Sequence, residues 1–455
     1  MKFHSEIRKN LYLAVPVMLS QLGHVMMGVA DNVMVGKLGA TSLAAAGLAN
    51  VAFNVLLLFG IGVSYAITPL VAQADGEKDT AGVSNILKHG LAINFLTGCF
   101  LATVVFFGKN ILYVIGQPAD VVALAIPYLN IVTVSIIPVL IFQTFRQLSE
   151  GLSNTRLAMI IVLSANVLNI ALNYILIYGH LGFPALGLNG AGYATLISRV
   201  LMGLGIAWYV FQAPAFRSYR SGFQLRHYSR KLFSKMLHIG VPAGLQFIFE
   251  VAAFDFSLVM MGWIGTQALA AHQIAINLAT ISYMTTSGLA AAATIRVGQE
   301  LGKNDIVQLR YTAFVIIRMA LVWMSIWAVV FILGRTALPS LYVLDVEVLK
   351  TAAPLVVIAG LFQLSDGLQV VSVGALRGLQ DVKIPSLLIF VSYWVIALPL
   401  GYWMAFVLNW GAIGIWSGLL IGLTLVALAV TYRFHVLSRA LLRSAHGTDK
   451  INENG

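Results

Sequence analysis

Four carboxylates fall deep inside long apolar stretches: Asp31, Glu250, Asp255 and Asp366. A carboxylate at the centre of a bilayer costs on the order of 2.5–3.5 kcal/mol on insertion scales, so it is expected to face a cavity or a partner. Such a group can bind Na⁺ when ionised, carry a proton when neutral, or attract a cationic solute. Glu250 and Asp366 have no Lys or Arg within one helical turn in sequence, which favours function over local charge pairing. Asp31 is followed by Gly36 and Gly39, so its plainer alternative is a place near the outer interface. Asp255 has the plainer alternative of pairing with another helix. A second pattern is uncharged. Asn166, Asn169 and Asn173 share one apolar stretch, and positions 169 and 173, four apart, share a helix face. Amide oxygens near a carboxylate make a hard-cation site or a proton-sensitive hydrogen-bond network. The structural alternative is interhelical bonding.

Residues of this kind need helices that cross lipid to hold them. The chain of 455 residues is 59% hydrophobic and 10% charged, with a mean hydropathy of +0.88. Soluble domains carry roughly 25% charged residues, and disordered chains are poor in apolar ones, so both classes are excluded. The apolar runs reach about 20 residues or more and lack the alternation of a membrane barrel. An all-α polytopic membrane protein with twelve transmembrane helices is expected. The spans are 11–36, 45–73, 88–108, 122–145, 157–179, 187–213, 236–262, 269–296, 309–333, 349–375, 383–408 and 411–436. The first run leads directly into a second span and lacks a small-residue cleavage site, so it does not read as a cleaved signal.

Basic residues orient these spans. The tails and alternate loops on the N-terminal side, with the span ends that adjoin them, hold 22 Lys and Arg, against Lys37, Lys109, Arg335 and Lys350 on the other side. That bias places both termini in the cytoplasm, and the formal charge of +11 is mostly a topology signal. Arg199 and Arg318 fall within spans, where neutralising an acid or snorkelling is the plain reading. The densest basic stretch, with Arg217, Arg220, Arg226, Arg230, Lys231 and Lys235, reads as a linker facing anionic membrane lipid. It comes with no nucleic-acid recognition motif, so no nucleic-acid partner is expected.

The chain also repeats itself. A shift of 226 residues aligns Ala14–Asp79 with Gly240–Asp305 without a gap, and 19 of 66 positions are identical. Shared positions include Pro16/Pro242, Gly36/Gly262, Gly39/Gly265, Gly62/Gly288, Thr68/Thr294, Gln73/Gln299, Gly76/Gly302 and Asp79/Asp305. Further on, Pro127 pairs with Pro354 and Gly151 with Gly378. Apolar composition alone does not produce shared Pro, Gly, Gln and Asp. The expected organisation is an N-tail (1–10), an N-lobe of six helices (11–215), a basic cytoplasmic linker (216–235), a C-lobe of six helices (236–436) and a C-tail (437–455). Two like-oriented halves place a pseudo-symmetry axis along the membrane normal, with a site expected near midplane between them. The acids break the repeat: Glu250 aligns with His24, Asp31 with Ser257 and Asp255 with Val29. The halves are expected to have specialised.

Several chemistries are missing. The sequence holds no G-x-x-x-x-G-K-[ST], H-E-x-x-H, C-x-x-C or G-x-S-x-G, so a nucleotide-driven motor and common hydrolytic sites are excluded. Cys99 is the only cysteine, which rules out a disulfide framework. His24, His238 and His272 read as bonded core residues, because nothing gives zinc spacing. No enzyme and no cofactor are expected, and uphill transport would draw on an ion gradient. Met26, Met27, Met260, Met261 and Met284, with Phe247, Phe249, Phe254 and Phe256, could line an adaptable pocket for apolar cations. Packing is the plainer role for most of them.

Met27-Gly-Val-Ala-Asp31 followed by Gly36-Lys-Leu-Gly39-Ala-Thr-Ser-Leu43 resembles the first-helix signature of the multidrug and toxic compound extrusion (MATE) family. Phe249-Glu250-Val251 with Ala270-Ala-His272-Gln273 resembles its seventh-helix region, and Asp366-Gly-Leu-Gln-Val-Val through Gly374-Ala-Leu-Arg377-Gly378 its tenth. Asn169-Ile-Ala-Leu-Asn173-Tyr with Gly190-Ala-Gly-Tyr-Ala-Thr195 resembles the fifth and sixth. The likeness runs in order along nearly the whole chain and is closest to the NorM branch. It implies twelve helices in two lobes and export of organic cations, drugs and dyes, in exchange for Na⁺ or H⁺ across the inner (plasma) membrane. It implies a C-lobe cation or drug site at Glu250 and Asp366, to which the deep Asp255 is added. It implies an N-lobe cation site of Asp31, Asn169, Asn173 and Thr195, with Na⁺ a candidate ligand at Glu250, Asp366 or Asp31. Phe362 stands where some members carry Tyr. A monomer is expected. The rival readings are a lipid-linked-precursor flippase of the same superfamily, which usually adds helices and a basic cavity, and a passive channel.

Overall fold

The computed structural model describes residues 2–114, 116–220, 223 and 227–452. Parts of the predicted tails and of the basic linker, Arg226 included, lie outside the described residues. Twelve long helical segments follow one another: α1 Lys2–Gly36, α2 Ala40–Gly76, α3 Thr80–Val114 and α4 Ala119–Gly151. After these come α5 Thr155–Tyr178, α6 Leu188–Gln212, α7 Arg230–Ile264, α8 Thr266–Gly302 and α9 Ile306–Leu333. The last three are α10 Val346–Gly378, α11 Lys383–Val407 and α12 Ala412–Asn452. Each predicted span falls on one of them. Eleven are long and apolar enough to cross a membrane. The exception is α8, although it runs for 37 residues. Its Thr280, Ser282 and Thr286 hydroxyls return to carbonyls of their own helix, at 2.8, 2.8 and 3.2 Å, which lets a polar sequence stay helical in an apolar setting.

Repeated residues hold repeated joints. Asp79 and Asp305 are the N-caps of α3 and α9, accepting from the backbone N–H of Gly82 at 2.8 Å and of Gln308 at 2.9 Å. A side-chain oxygen there satisfies one of the donors that a helix start leaves free. Gly39 and Gly265 precede α2 and α8 with φ of 115° and 146°, a backbone region that side chains other than glycine rarely adopt.

By contact the chain forms two units, Leu19–Gly244, and Met1–Met18 with Leu245–Gly455. One boundary falls within α1 and the other within α7, 226 residues further on. Each lies two residues beyond an in-helix proline, Pro16 or Pro242, where a helix lacks one backbone hydrogen bond. Thus each half lends the start of its first helix to the other unit.

In the first unit the start of α7 lies against α2, where a Cβ at Gly62 would come 2.4 Å from Gly244 Cα. In the second the start of α1 lies against α8, where a Cβ at Gly288 would come 2.4 Å from the Ala14 carbonyl oxygen. Buried Glu6 fixes that start by accepting from Arg296 at 2.7 Å and from Thr312 at 3.3 Å. The repeated threonines do matching work. Thr68 donates to the Gln147 carbonyl at 3.1 Å, joining α2 to α4, and Thr294 donates to the Gly374 carbonyl at 2.8 Å, joining α8 to α10.

The described part of the linker is strapped to α2 and α3 of its own unit. Tyr219 donates to Asp75 at 3.1 Å, Lys88 to the His227 carbonyl at 3.1 Å, and the Ser229 N–H to His89 Nε2 at 2.8 Å. Burial, with the Asp75 carboxylate beside it, pushes the Tyr219 phenol up to about 12. Arg217, Arg230, Lys231 and Lys235 stay exposed.

Candidate functional site

In the unit Leu19–Gly244, α1 and α5 run side by side and three polar side chains of α5 reach α1. Asn166 donates to the Gly23 carbonyl at 2.7 Å, Asn173 to Asp31 Oδ1 at 2.5 Å and Tyr178 to the Met34 carbonyl at 2.7 Å. Asn173 also donates to Asn169 Oδ1 at 3.1 Å. Asn166 is therefore interhelical glue, while Asn169 and Asn173 serve the carboxylate. Asn169 and Asn173 are fully buried, and Asn173 Oδ1 and Asn169 Nδ2 have no hydrogen-bond partner. A free carbonyl oxygen next to a carboxylate suits a hard cation. Thr195 is buried on α6, outside the Asp31–Asn173–Asn169 chain of bonds. Arg199, also on α6, donates to Ser135 at 2.6 Å, lies over the Phe53 ring at 5.0 Å and acts electrostatically on Asp31.

The same unit holds a network that sequence reasoning missed. Arg146, counted among the loop cations, is buried on α4, where it pairs with Glu150 at 2.7 Å. It also lies 3.5 Å from His24 Nε2 and donates to Gln21 at 3.4 Å. Glu150, four residues on, was a readable sign of an ion pair, but positive-inside counting treats a cation near a helix end as solvated and so hid its burial.

In the other unit, Glu250 on α7 is half-buried. Gln369 of α10 donates to its Oε1 at 2.8 Å, and the buried Gln246, one turn back on α7, acts electrostatically on it. The Gln369 carbonyl oxygen accepts from the Tyr393 hydroxyl of α11 at 3.4 Å. Asp366, buried one turn before Gln369, and Arg377 both act electrostatically on Glu250. The structure thus brings Glu250 and Asp366 together and adds Gln246, Gln369 and Tyr393. Gln369 was open to discovery, since it lies three residues from Asp366 on the same side of a helix. Tyr393 was not. It sits in a π-helical stretch, Val391–Ala397, where the ordinary helical period does not apply.

Asp255 does not join this group. It is exposed, five residues beyond Glu250, or about 140° round the helix. Phe362 is buried in aromatic packing, 6.1 Å from Phe254 and 6.2 Å from Trp416 between ring centres. Trp416 in turn donates to His272 Nδ1 at 3.1 Å, so His272 is a bonded core residue, whereas His238 and Arg318 are exposed. Met260 and Met261 are buried core, while Met26 and Phe256 are exposed. Among the described residues no three His, Cys, Asp or Glu side chains cluster as a metal site. A bound cation would rest on one or two carboxylates with amide and hydroxyl oxygens.

Two repeat-related helical units, each setting a half-buried carboxylate against an amide, define a polytopic membrane protein of internal two-fold origin. The chain belongs to the MatE family, whose profile matches it twice, at 16–175 and 242–403. This is a family of membrane transporters and not of enzymes. The chain is 37% identical to the "Probable multidrug resistance protein NorM" of Rhizobium meliloti (strain 1021), over 96% of this chain and 94% of that protein. It is 33% identical to the "Multidrug resistance protein MdtK" of Yersinia pseudotuberculosis serotype O:1b (strain IP 31758), over 98% of this chain and 100% of that one. Its fold is similar to the crystal structure of the eukaryotic MATE transporter AtDTX14, with a TM-score of 0.87 at 20% identity over 98% of this chain and 100% of the other. It also resembles a multidrug resistance MATE family transporter of the MOP superfamily in an outward-facing conformation, with a TM-score of 0.86 at 21% identity, over 96% of each chain.

Proposed function

We propose that this protein is a secondary active antiporter that exports cationic amphiphilic organic compounds, such as drugs and dyes, in exchange for Na⁺ or H⁺. The observation that carries this reading is the pair of deep carboxylate clusters. One is Asp31 with Asn173 and Asn169, and the other is Glu250 and Asp366 with Gln369. The printed names of the bacterial relatives support multidrug substrates, and the absence of a nucleotide-binding loop in the sequence leaves an ion gradient as the energy source. In this reading Glu250 and Asp366 take a cation or the drug in the C-lobe, and Asp31 with Asn169, Asn173 and Thr195 takes a cation in the N-lobe. Asp255 is left aside because it is exposed away from both. Loading of the carboxylates shifts the population of lobe conformations, and ion and drug compete for that shift. The protein works as a monomer in the inner membrane, both termini in the cytoplasm, with its basic linker facing anionic lipid.

Ethidium flux into proteoliposomes tests the proposal, under an imposed Na⁺ gradient and separately under a pH gradient. Flux driven by Na⁺ alone assigns the carboxylates to Na⁺ coordination; flux driven by pH alone makes them proton carriers. Equal flux with no ion gradient contradicts the antiporter and favours a passive channel.

A further inference from the structure

We propose that a phospholipid binds where the end of α9 meets the start of α10, its phosphate between Arg335 and Lys350 and an acyl chain along α10. The inference needs the membrane topology alone and is independent of the coupling ion. α9 and α10 pack closely at Gly360, where a Cβ would come 3.0 Å from Ile332. Beyond that contact, toward the loop that joins the two helices, lies a cavity of about 500 Å³, within the roughly 300–1,000 Å³ of small-molecule sites. Arg335, from the turn after α9, and Lys350 of α10 are the charged residues that line it. Val346, Leu349, Ala353 and Val357 form its apolar floor. With Lys350 they recur at spacings of three and four, on one face of α10.

The side of the membrane reached after nine crossings is poor in cations, as the positive-inside rule requires. Its loops hold Lys37, Lys109, Arg335 and Lys350, and the last two share this one cavity. Arg335 has no hydrogen bond or ion pair among the described residues. Lys350 gives one donor to Glu347 at 2.7 Å, and an ammonium has three. Asp345 is spent on the start of α10, accepting from the N–H groups of Glu347 and Val348 at 2.8 and 3.3 Å. With Glu347 set against Lys350, the Arg335 guanidinium is left uncompensated, and the single negative charge of a phosphodiester matches it. The neighbouring loop identifies the source of that phosphate. Leu341, Leu344 and Val346 are 79%, 85% and 61% exposed, and Tyr342 is exposed beside them. Such a run belongs at the membrane interface, with the tyrosine at headgroup level, so the two cations stand at the depth of lipid phosphates. The floor orients the chain more than it adds affinity, because lipid is already as apolar as these side chains. Recognition rests on the guanidinium fork and the ammonium. The same two cations repel a cationic amphiphile, so the cavity is not a drug entrance.

Native mass spectrometry of the detergent-purified full-length protein, titrated with phosphatidylglycerol, tests the proposal. A single lipid should be retained more tightly than all others. Arg335→Gln with Lys350→Gln should weaken that lipid roughly tenfold or more, as expected for the loss of charge-assisted contacts. Lys37→Gln with Lys109→Gln removes the same charge from the same side and should leave it in place. Ala353→Phe keeps both cations but fills the floor, and should also expel the lipid; if the cavity glutamine pair does not fold, this variant decides. Equal loss in the two glutamine pairs would reveal a general charge effect. Displacement of the lipid by millimolar inorganic phosphate would make the site one for the free anion. Either result overturns the proposal, as does a tight lipid that survives the cavity glutamine pair or Ala353→Phe.

Discussion

Glu250→Gln abolishes ion-driven ethidium transport while the protein still accumulates in the membrane, and Asp366→Asn does the same. The argument is one of charge at constant shape. Glutamine is nearly isosteric with Glu250 and retains an oxygen to accept from Gln369, now 2.8 Å away, so packing survives. What is lost is the negative charge that a cation must neutralise. Removing one partner of a buried charge pair costs about 3 kcal/mol or more, roughly a hundredfold in apparent ion affinity. Asp366 is buried and electrostatically joined to Glu250, so the two act as one site and either neutralisation suffices. The check is the ethidium rate at saturating gradient together with the amount of detergent-extracted folded protein. Full transport by both variants would remove these carboxylates from the mechanism.

The second large effect is on stability. Gly62→Ala and Gly288→Ala each place a methyl group 2.4 Å from the backbone of a helix from the other half of the sequence, Gly244 Cα in one case and the Ala14 carbonyl oxygen in the other. A flexible side chain could move aside, but a backbone cannot, so the helices must separate. Overpacking of this kind costs roughly 1–3 kcal/mol. Both variants should therefore lower Tm by several degrees and reduce yield. Gly47→Ala, also in α2 but with open space around it, should be neutral or slightly stabilising, because alanine favours the helix. A Gly62→Ala protein as stable as Gly47→Ala would show that α2 and the start of α7 do not approach so closely.

Much of this was legible in the sequence because lipid imposes simple rules. Twelve apolar runs became twelve long helices, and the repeat offset of 226 residues returned as the spacing of the unit boundaries in α1 and α7. The repeated Pro16/Pro242 and Gly62/Gly288 marked those joints, but their partners could not be read, since which helix a small residue touches is decided by three-dimensional packing. Asp255 shows another limit. It is a carboxylate like Glu250 in the same apolar stretch, and rotation about α7 separates an exposed acid from a clustered one. Arg146 shows a third, because a cation near a helix end looks solvated until its partner Glu150 is placed beside it in the core. The Asn169–Asn173 spacing, by contrast, showed that the two amides share a helix face, while Asp31 as the partner of Asn173 came only from the family resemblance.

The claim at the centre of the account is exchange, and the most direct test runs the transporter backwards. Proteoliposomes loaded with ethidium are diluted into ethidium-free buffer with no ion gradient, and movement of Na⁺ and H⁺ is followed. The account predicts saturable ion movement opposite to ethidium, absent in Glu250→Gln vesicles. Ethidium leaving with no opposed flux of either ion would contradict it.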